Sequence, residues 1–69
     1  MRLDDLEALY NWLDRIGSLP NYQRDLIENA IFCVKRGYDD RARDSLKTMA
    51  YNYRKSGDSN AAVAVERLL

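Results

Sequence analysis

The three glycines of the chain, Gly17, Gly37 and Gly57, stand 20 residues apart and divide a regular pattern of apolar and polar residues into segments. When the segments are aligned on their glycines, apolar or small residues recur eleven, seven and four positions before each one. These positions hold Leu6, Tyr10 and Leu13, then Leu26, Ala30 and Cys33, then Leu46, Ala50 and Tyr53. Because the spacing is i, i+4, i+7, each set falls on one face of an α-helix. The pattern therefore predicts an amphipathic helix before each glycine.

The glycines and the residues around them predict where these helices end and begin. Glycine accepts the left-handed conformation that closes a helix, and a basic residue two positions earlier complements the exposed carbonyls of the last turn. The start signals are Asp4, Asp5 and Glu7 for the first helix, Pro20 or Asn21 for the second, Asp39 or Asp40 as cap of the third, and Asp58, Ser59 or Asn60 as cap of the fourth. The predicted helices span about 3–16, 20–36, 39–56 and 59–69.

No segment alternates apolar and polar residues with a period of two, so we expect an all-α fold. The short connections favour an antiparallel bundle of three to four short helices, forming one domain over residues 1–69. The helical stripes predict a core. Its members are Leu6, Leu9, Leu13 and Ile16, then Leu26, Ile27, Ala30, Ile31 and Val34, then Ala42, Leu46, Met49, Ala50 and Tyr53, and finally Ala61, Val65, Leu68 and Leu69.

Length makes this core small. A chain of 69 residues lies near the size at which a single core folds only marginally without a disulfide, a metal or a partner chain. Several predicted core residues are alanines, which bury little area. We therefore expect the protein to bind another protein, and we expect a homodimer.

Some large side chains fall off the predicted stripes. At 100° per residue, Phe32, Tyr51 and Val63 point almost opposite to the apolar stripes of their helices, and Trp12 lies at the edge of its stripe. Exposed aromatic residues often anchor protein interfaces. The alternative is that the short helices bury two faces at once, which would make Phe32 and Tyr51 part of the core.

The residue types that carry catalysis are scarce. The chain has one cysteine, Cys33, and no histidine, so the usual zinc sites and Cys/His nucleophile pairs are absent. The paired carboxylates Asp4/Asp5 and Asp39/Asp40 sit at predicted helix starts, where capping and the helix dipole account for them. We therefore predict neither an enzyme nor a cofactor or metal. The lone cysteine and the acidic N-terminal segment favour a cytoplasmic location.

A DNA-binding interpretation remains as an alternative. The second and third helices, joined at Gly37, could form a helix-turn-helix with helix 39–56 as the reading helix. Its basic residues are Arg41, Arg43, Lys47 and Arg54, and its acidic residues are Asp39, Asp40 and Asp44. The carboxylates would face the phosphate backbone, and eleven basic side chains balance eleven acidic ones over the whole chain. Binding to nucleic acid or to a membrane surface is therefore not expected.

The run from Leu26 to Leu69, with small residues at Ala30, Ala42, Ala61 and Ala62 and turns at Gly37 and Gly57, resembles tetratricopeptide-like helical hairpins. The family repeats every 34 residues over two helices, whereas the glycine period here is 20 residues per helix. The resemblance implies protein or peptide binding by analogy.

In size and character the chain is also similar to small helical proteins that phages encode to inhibit host regulators, including anti-activators of quorum-sensing transcription factors. That resemblance implies a module that binds and blocks a partner protein. On this interpretation Trp12, Phe32 and Tyr51 are anchors of the interface, and Tyr38, Arg43 and Lys47 form its polar rim.

Overall fold

The computed structural model of the protein describes all residues from 1 to 69. It contains four helices and no strand: α1 (Leu3–Arg15), α2 (Asn21–Lys35), α3 (Asp39–Ser56) and α4 (Ser59–Glu66). The predicted all-α bundle is thereby confirmed. The bounds of α1, α2 and α3 agree with the predicted ones to within one residue, whereas α4 ends three residues earlier than predicted. None of the four is long and apolar enough to cross a membrane.

The three glycines end the first three helices through the same backbone motif. Their φ angles are 73°, 81° and 84° for Gly17, Gly37 and Gly57, in the left-handed region that favours glycine. After α1, the Ser18 amide donates to the Leu13 carbonyl and the Gly17 amide donates to the Asp14 carbonyl. The same two bonds recur after α2 and α3. The repeated spacing in the sequence is therefore a repeated Schellman motif.

The predicted starts of α2 and α4 are confirmed, and the predicted cap of α3 is wrong. Helix α2 begins at Asn21, directly after Pro20. The Asp58 carboxylate caps α4 by accepting a hydrogen bond from the Ala61 amide at 3.3 Å. Helix α3, however, begins after Tyr38, whose side chain makes no capping hydrogen bond. Asp39 and Asp40 lie in the first turn of the helix rather than at its cap. Asp39 binds the N-terminal ammonium group at 3.2 Å instead. That ion pair connects the first residue of the chain to the start of α3.

The helices pack in chain order around the core. Helix α1 packs on α2, α2 packs most extensively on α3, and α3 packs on α4, while α1 and α4 meet only slightly. Two side-chain hydrogen bonds align the central pair: in a buried one the Gln23 side-chain amide donates to the Met49 carbonyl at 3.2 Å, and in a partly buried one Asn29 donates to the Ser45 hydroxyl at 2.7 Å. The start of α2 thus lies beside the end of α3, which makes the pair antiparallel.

The core consists of fifteen buried hydrophobic residues and includes most of the predicted ones. Two predicted members are exposed: Ile16 at 46% and Leu69 at 40%. Ile16 follows the last residue of α1, where the chain turns toward Gly17, and Leu69 lies beyond the end of α4, so neither continues the stripe of its helix. Four further predicted members are only half-buried: Leu26, Ile31, Val34 and Leu68.

The structure also buries residues that the stripes did not predict. Leu19 is buried although it lies in the connection between α1 and α2, and Ala62 is buried on α4. Gln23 is fully buried as well, with its side-chain oxygen left without a hydrogen-bond donor. A hydrophobic pattern cannot predict the burial of a polar residue such as Gln23. That burial depends on a hydrogen bond to a distant residue, the Met49 carbonyl.

Candidate functional site

Polar side chains fasten α1 to α2. The Arg24 guanidinium donates to the Asp14 carboxylate at 2.8 Å and to the Tyr10 hydroxyl at 2.6 Å. The hydrogen bond from Arg24 to Asp14 is the main cause of a raised pKa of the Arg24 guanidinium, so the group is charged at all ordinary pH values. The end of α1 is thereby held against the start of α2.

Helix α4 is fastened to α3 in a comparable way. Arg54 makes two bonds to the Glu66 carboxylate, at 2.6 and 3.1 Å, and the hydrogen bonds from Arg54 lower the pKa of Glu66. Arg43 donates to the Leu69 carbonyl at 2.7 Å. The last residue of α4 and the residues that follow it are therefore held against α3.

The side of the bundle where α1 faces α4, here called the α1–α4 seam, has no such polar contacts. No hydrogen bond or ion pair joins the two helices, and an open groove of about 640 Å³ runs between them. Six of the eight residues that line the groove are hydrophobic. The lining comprises Ala8, Leu9 and Trp12 from α1, Asn60, Val63 and Ala64 from α4, and Arg67 and Leu68 just after α4.

Short side chains explain why this side of the bundle is open. Helix α4 has only eight residues and presents Val63 and Ala64 toward the groove. Such side chains are too short to fill the space beside α1. On the facing wall the Trp12 indole is half-buried and Leu9 is buried. The arrangement leaves an apolar recess that can accept side chains from another molecule.

Phe32 and Tyr51 are exposed, as the sequence pattern predicts, at 52% and 65%. Each is covered in part by a basic residue on its own helix: the Arg36 guanidinium lies 4.7 Å from the Phe32 ring centroid, and the Lys55 ammonium lies 6.0 Å from that of Tyr51. Because α2 and α3 are antiparallel and both residues lie near the ends of their helices, Phe32 and Tyr51 sit at opposite ends of the bundle. They do not form one patch.

The other predicted interface residues lie on still other surfaces. Tyr38 is exposed in the α2–α3 connection, with the Arg41 guanidinium 5.2 Å from its ring centroid. Arg43 is held by the Leu69 carbonyl, and Lys47 is exposed on α3. Of the six predicted residues, only Trp12 lines the groove. The sequence did not indicate Ala64, Arg67 or Leu68, because only the placement of α4 beside α1 brings them together with Trp12.

A second cleft of about 490 Å³ lies on the other side of α1 and is more polar. Its lining residues are Glu7, Tyr10, Asn11, Glu28 and Ile31. The Tyr10 hydroxyl donates to Glu28 across this cleft at 3.4 Å, a long hydrogen bond. The two recesses therefore differ in chemistry. The groove between α1 and α4 is apolar and no polar bond crosses it, whereas the cleft between α1 and α2 is acidic and a hydrogen bond crosses it.

The residues proposed for DNA contacts are mostly engaged within the chain. Arg41 stacks on Tyr38, Arg43 binds the Leu69 carbonyl and Arg54 binds Glu66, which leaves Lys47 without a partner. Cys33 is a buried free thiol, and no group of three or more His, Cys, Asp or Glu side chains is placed to hold a metal ion.

No protein-family model, curated protein or solved structure matches the chain. The resemblances to tetratricopeptide-like hairpins and to small phage inhibitors stay predictions from the sequence.

Proposed function

We propose that the protein is a small helical protein-interaction module that docks a helix of a partner protein in the groove between α1 and α4. The observation that carries this proposal is the apolar groove between α1 and α4, which no polar bond bridges, in a bundle whose consecutive helices pack against one another. Trp12 is its aromatic anchor.

The mechanism is steric occupation. A partner helix bound in the groove is no longer accessible to its own targets, which is how an inhibitor or anti-activator of a host regulator would act. A passive adaptor or assembly subunit would use the same groove without blocking a function. A homodimer would also give the chain the additional burial that its small core favours.

Site-specific photocrosslinking tests the proposal. A benzophenone amino acid is placed at Val63 on the groove wall and, as a matched control, at Tyr51 on the outer face of α3. The cells that naturally express the chain are irradiated, and the adducts are mapped by mass spectrometry. We expect a reproducible protein adduct from position 63 that the variant Ala64→Gln, which narrows the groove, removes.

Two other outcomes would count against this proposal. An adduct only from position 51 would place binding on the outer face of α3, and no adduct from either position would refute docking in the groove. If the protein instead binds DNA, titration with duplex DNA at low salt should show binding that weakens steeply as salt is added. Reversing the charges of Arg43 and Lys47 should then abolish that binding.

A further inference from the structure

The geometry of the bundle limits what kind of segment can occupy the groove. The chain has no strand, so it offers no free sheet edge on which an extended peptide could pair. Its walls are two helices whose backbone groups are already bonded within each helix, and the shorter one, α4, is about two turns long. A recess of this form accepts the apolar stripe of an amphipathic helix, with anchors at i, i+3 or i+4, and i+7.

The charge in the groove is of one sign. Arg67 is the only charged residue of the lining, and it is exposed at the end of α4. Its guanidinium makes no ion pair, whereas those of Arg2, Arg24 and Arg54 each have a carboxylate within 4.0 Å. The groove therefore presents one uncompensated positive charge beside an apolar floor.

A second copy of this chain is a poor match for that surface. The exposed large hydrophobic residues are Ile16, Tyr22, Phe32, Tyr38, Tyr51, Val63 and Leu69. No helix carries two of them at i, i+3, i+4 or i+7 spacing, so a folded copy has no exposed apolar stripe to insert. The acidic helix α1 does have such a stripe, but Leu6, Leu9 and Leu13 are already buried in the core.

We infer that the occupant of the groove is an amphipathic helix of a different protein that carries a carboxylate at the edge of its apolar stripe, paired with Arg67. The inference rests on the proposed docking function and specifies its partner. The apolar residues supply the affinity, and the carboxylate fixes the orientation of the bound helix along the groove. An exposed pair of this kind discriminates modestly between charges, by about two- to fivefold in Kd.

Trp12 provides the measurement, since it is the only tryptophan of the chain and lies in the groove. The probes are synthetic, tryptophan-free, alanine-rich helical peptides with leucines at i, i+3, i+4 and i+7. In one set a single Glu is moved turn by turn along the edge of the leucine stripe, and in matched sets it is replaced by Gln or Lys. Binding is followed by the fluorescence of Trp12.

We expect the best Glu peptide to bind about two- to fivefold more tightly than its Gln counterpart and the Lys peptide to bind most weakly. Arg67→Gln should abolish the difference, and Arg67→Glu should reverse it. The control Lys35→Glu, at the end of α2 and outside the groove lining, should leave all three affinities unchanged. Because Arg67 and Lys35 are both exposed, these variants should keep the fold, which circular dichroism checks.

The failure of this inference and that of the proposed function are distinguishable. Equal binding of the Glu, Gln and Lys peptides would overturn the acidic partner while leaving groove docking intact. A failure of every peptide to perturb Trp12 would also overturn it, and the crosslinking experiment would decide separately whether the groove is used. A stable dimer in light scattering that Val63→Glu converts to monomer would identify a second copy as the occupant and refute the inference.

Discussion

The central hairpin and the α1–α4 seam are built from similar residues but differ in how they are held together. Helices α2 and α3 are the longest, bury most of the core between them, and share the bonds of Gln23 to Met49 and of Asn29 to Ser45. Helices α1 and α4 face each other across an apolar groove without a polar bond. The difference shows that α1 and α4 are each positioned by their neighbour in the chain rather than by each other.

The largest effect on stability should come from a buried side chain of the central α2–α3 hairpin. Ile27→Ala removes a fully buried side chain and should lower the free energy of unfolding by about 3 kcal/mol, because a cavity remains. The matched groove variant, Leu68→Ala, changes a half-buried side chain and should cost less than about 1 kcal/mol. Urea unfolding followed by circular dichroism measures both.

If Ile27→Ala does not fold, Ile27→Val should still lower stability by about 1 kcal/mol and keeps the comparison measurable. Equal costs at positions 27 and 68 would show that the seam contributes as much as the hairpin.

The next effect concerns Tyr53, which connects α3 to the α1–α2 loop by donating its hydroxyl hydrogen to the Ser18 carbonyl. Burial, aided by the negative charge of Asp58, raises the pKa of Tyr53 from 10.0 to about 12. The unfolded chain therefore loses this proton at lower pH than the folded one. Stability should fall by about 2 kcal/mol as pH rises from about 10 to 12.

Denaturant unfolding of the wild type and of Tyr53→Phe at several pH values measures this loss. The variant lacks the bond to Ser18 and should be about 1 kcal/mol less stable at pH 7, but it should lose less stability in alkali. Parallel alkaline profiles for the two proteins would contradict the assignment to Tyr53.

A substitution at Gln23, also in the α2–α3 hairpin, should raise the stability of the protein rather than lower it. Its buried side-chain oxygen has no donor, and an unsatisfied polar atom costs free energy in the folded state. Gln23→Leu removes that atom together with the bond to Met49, and it should raise the free energy of unfolding by about 1 kcal/mol. Chemical denaturation with Gln23→Glu as the control, which buries a charge and should be strongly destabilising, checks the sign.

The smallest effect is expected at the exposed pair that holds α4 on α3. The hydrogen bonds from Arg54 lower the pKa of Glu66 in the folded state below its ordinary value of 4.5. The pair therefore stabilises the folded state at pH values above 4.5, and this stabilisation is lost as the pH falls through the lowered pKa of Glu66. Glu66→Gln should lower the melting temperature slightly at pH 7 and by less at pH 3. An equal difference at both pH values would show that the pair is not the cause.

Local signals predicted the helices well because their causes are local. The spacing of Leu6, Leu26 and Leu46 before the glycines follows from the periodicity of a helix, and Gly17, Gly37 and Gly57 close their helices by backbone bonds to residues in the preceding turn. The predicted core residues that proved exposed, Ile16 and Leu69, lie just outside the helices, where the direction of a side chain no longer follows the stripe.

The sequence by itself determined the helices, the glycine-marked ends of the first three and most of the side chains they bury, since each depends on residues within a few turns. Tertiary structure alone decided that α1 and α4 stay apart, that Gln23 is buried, and that Phe32 and Tyr51 lie at opposite ends of the bundle. These features depend on how far one helix lies from another. That distance is set by side-chain sizes on both helices, such as Trp12 against Ala64, and no periodicity along a single chain records it.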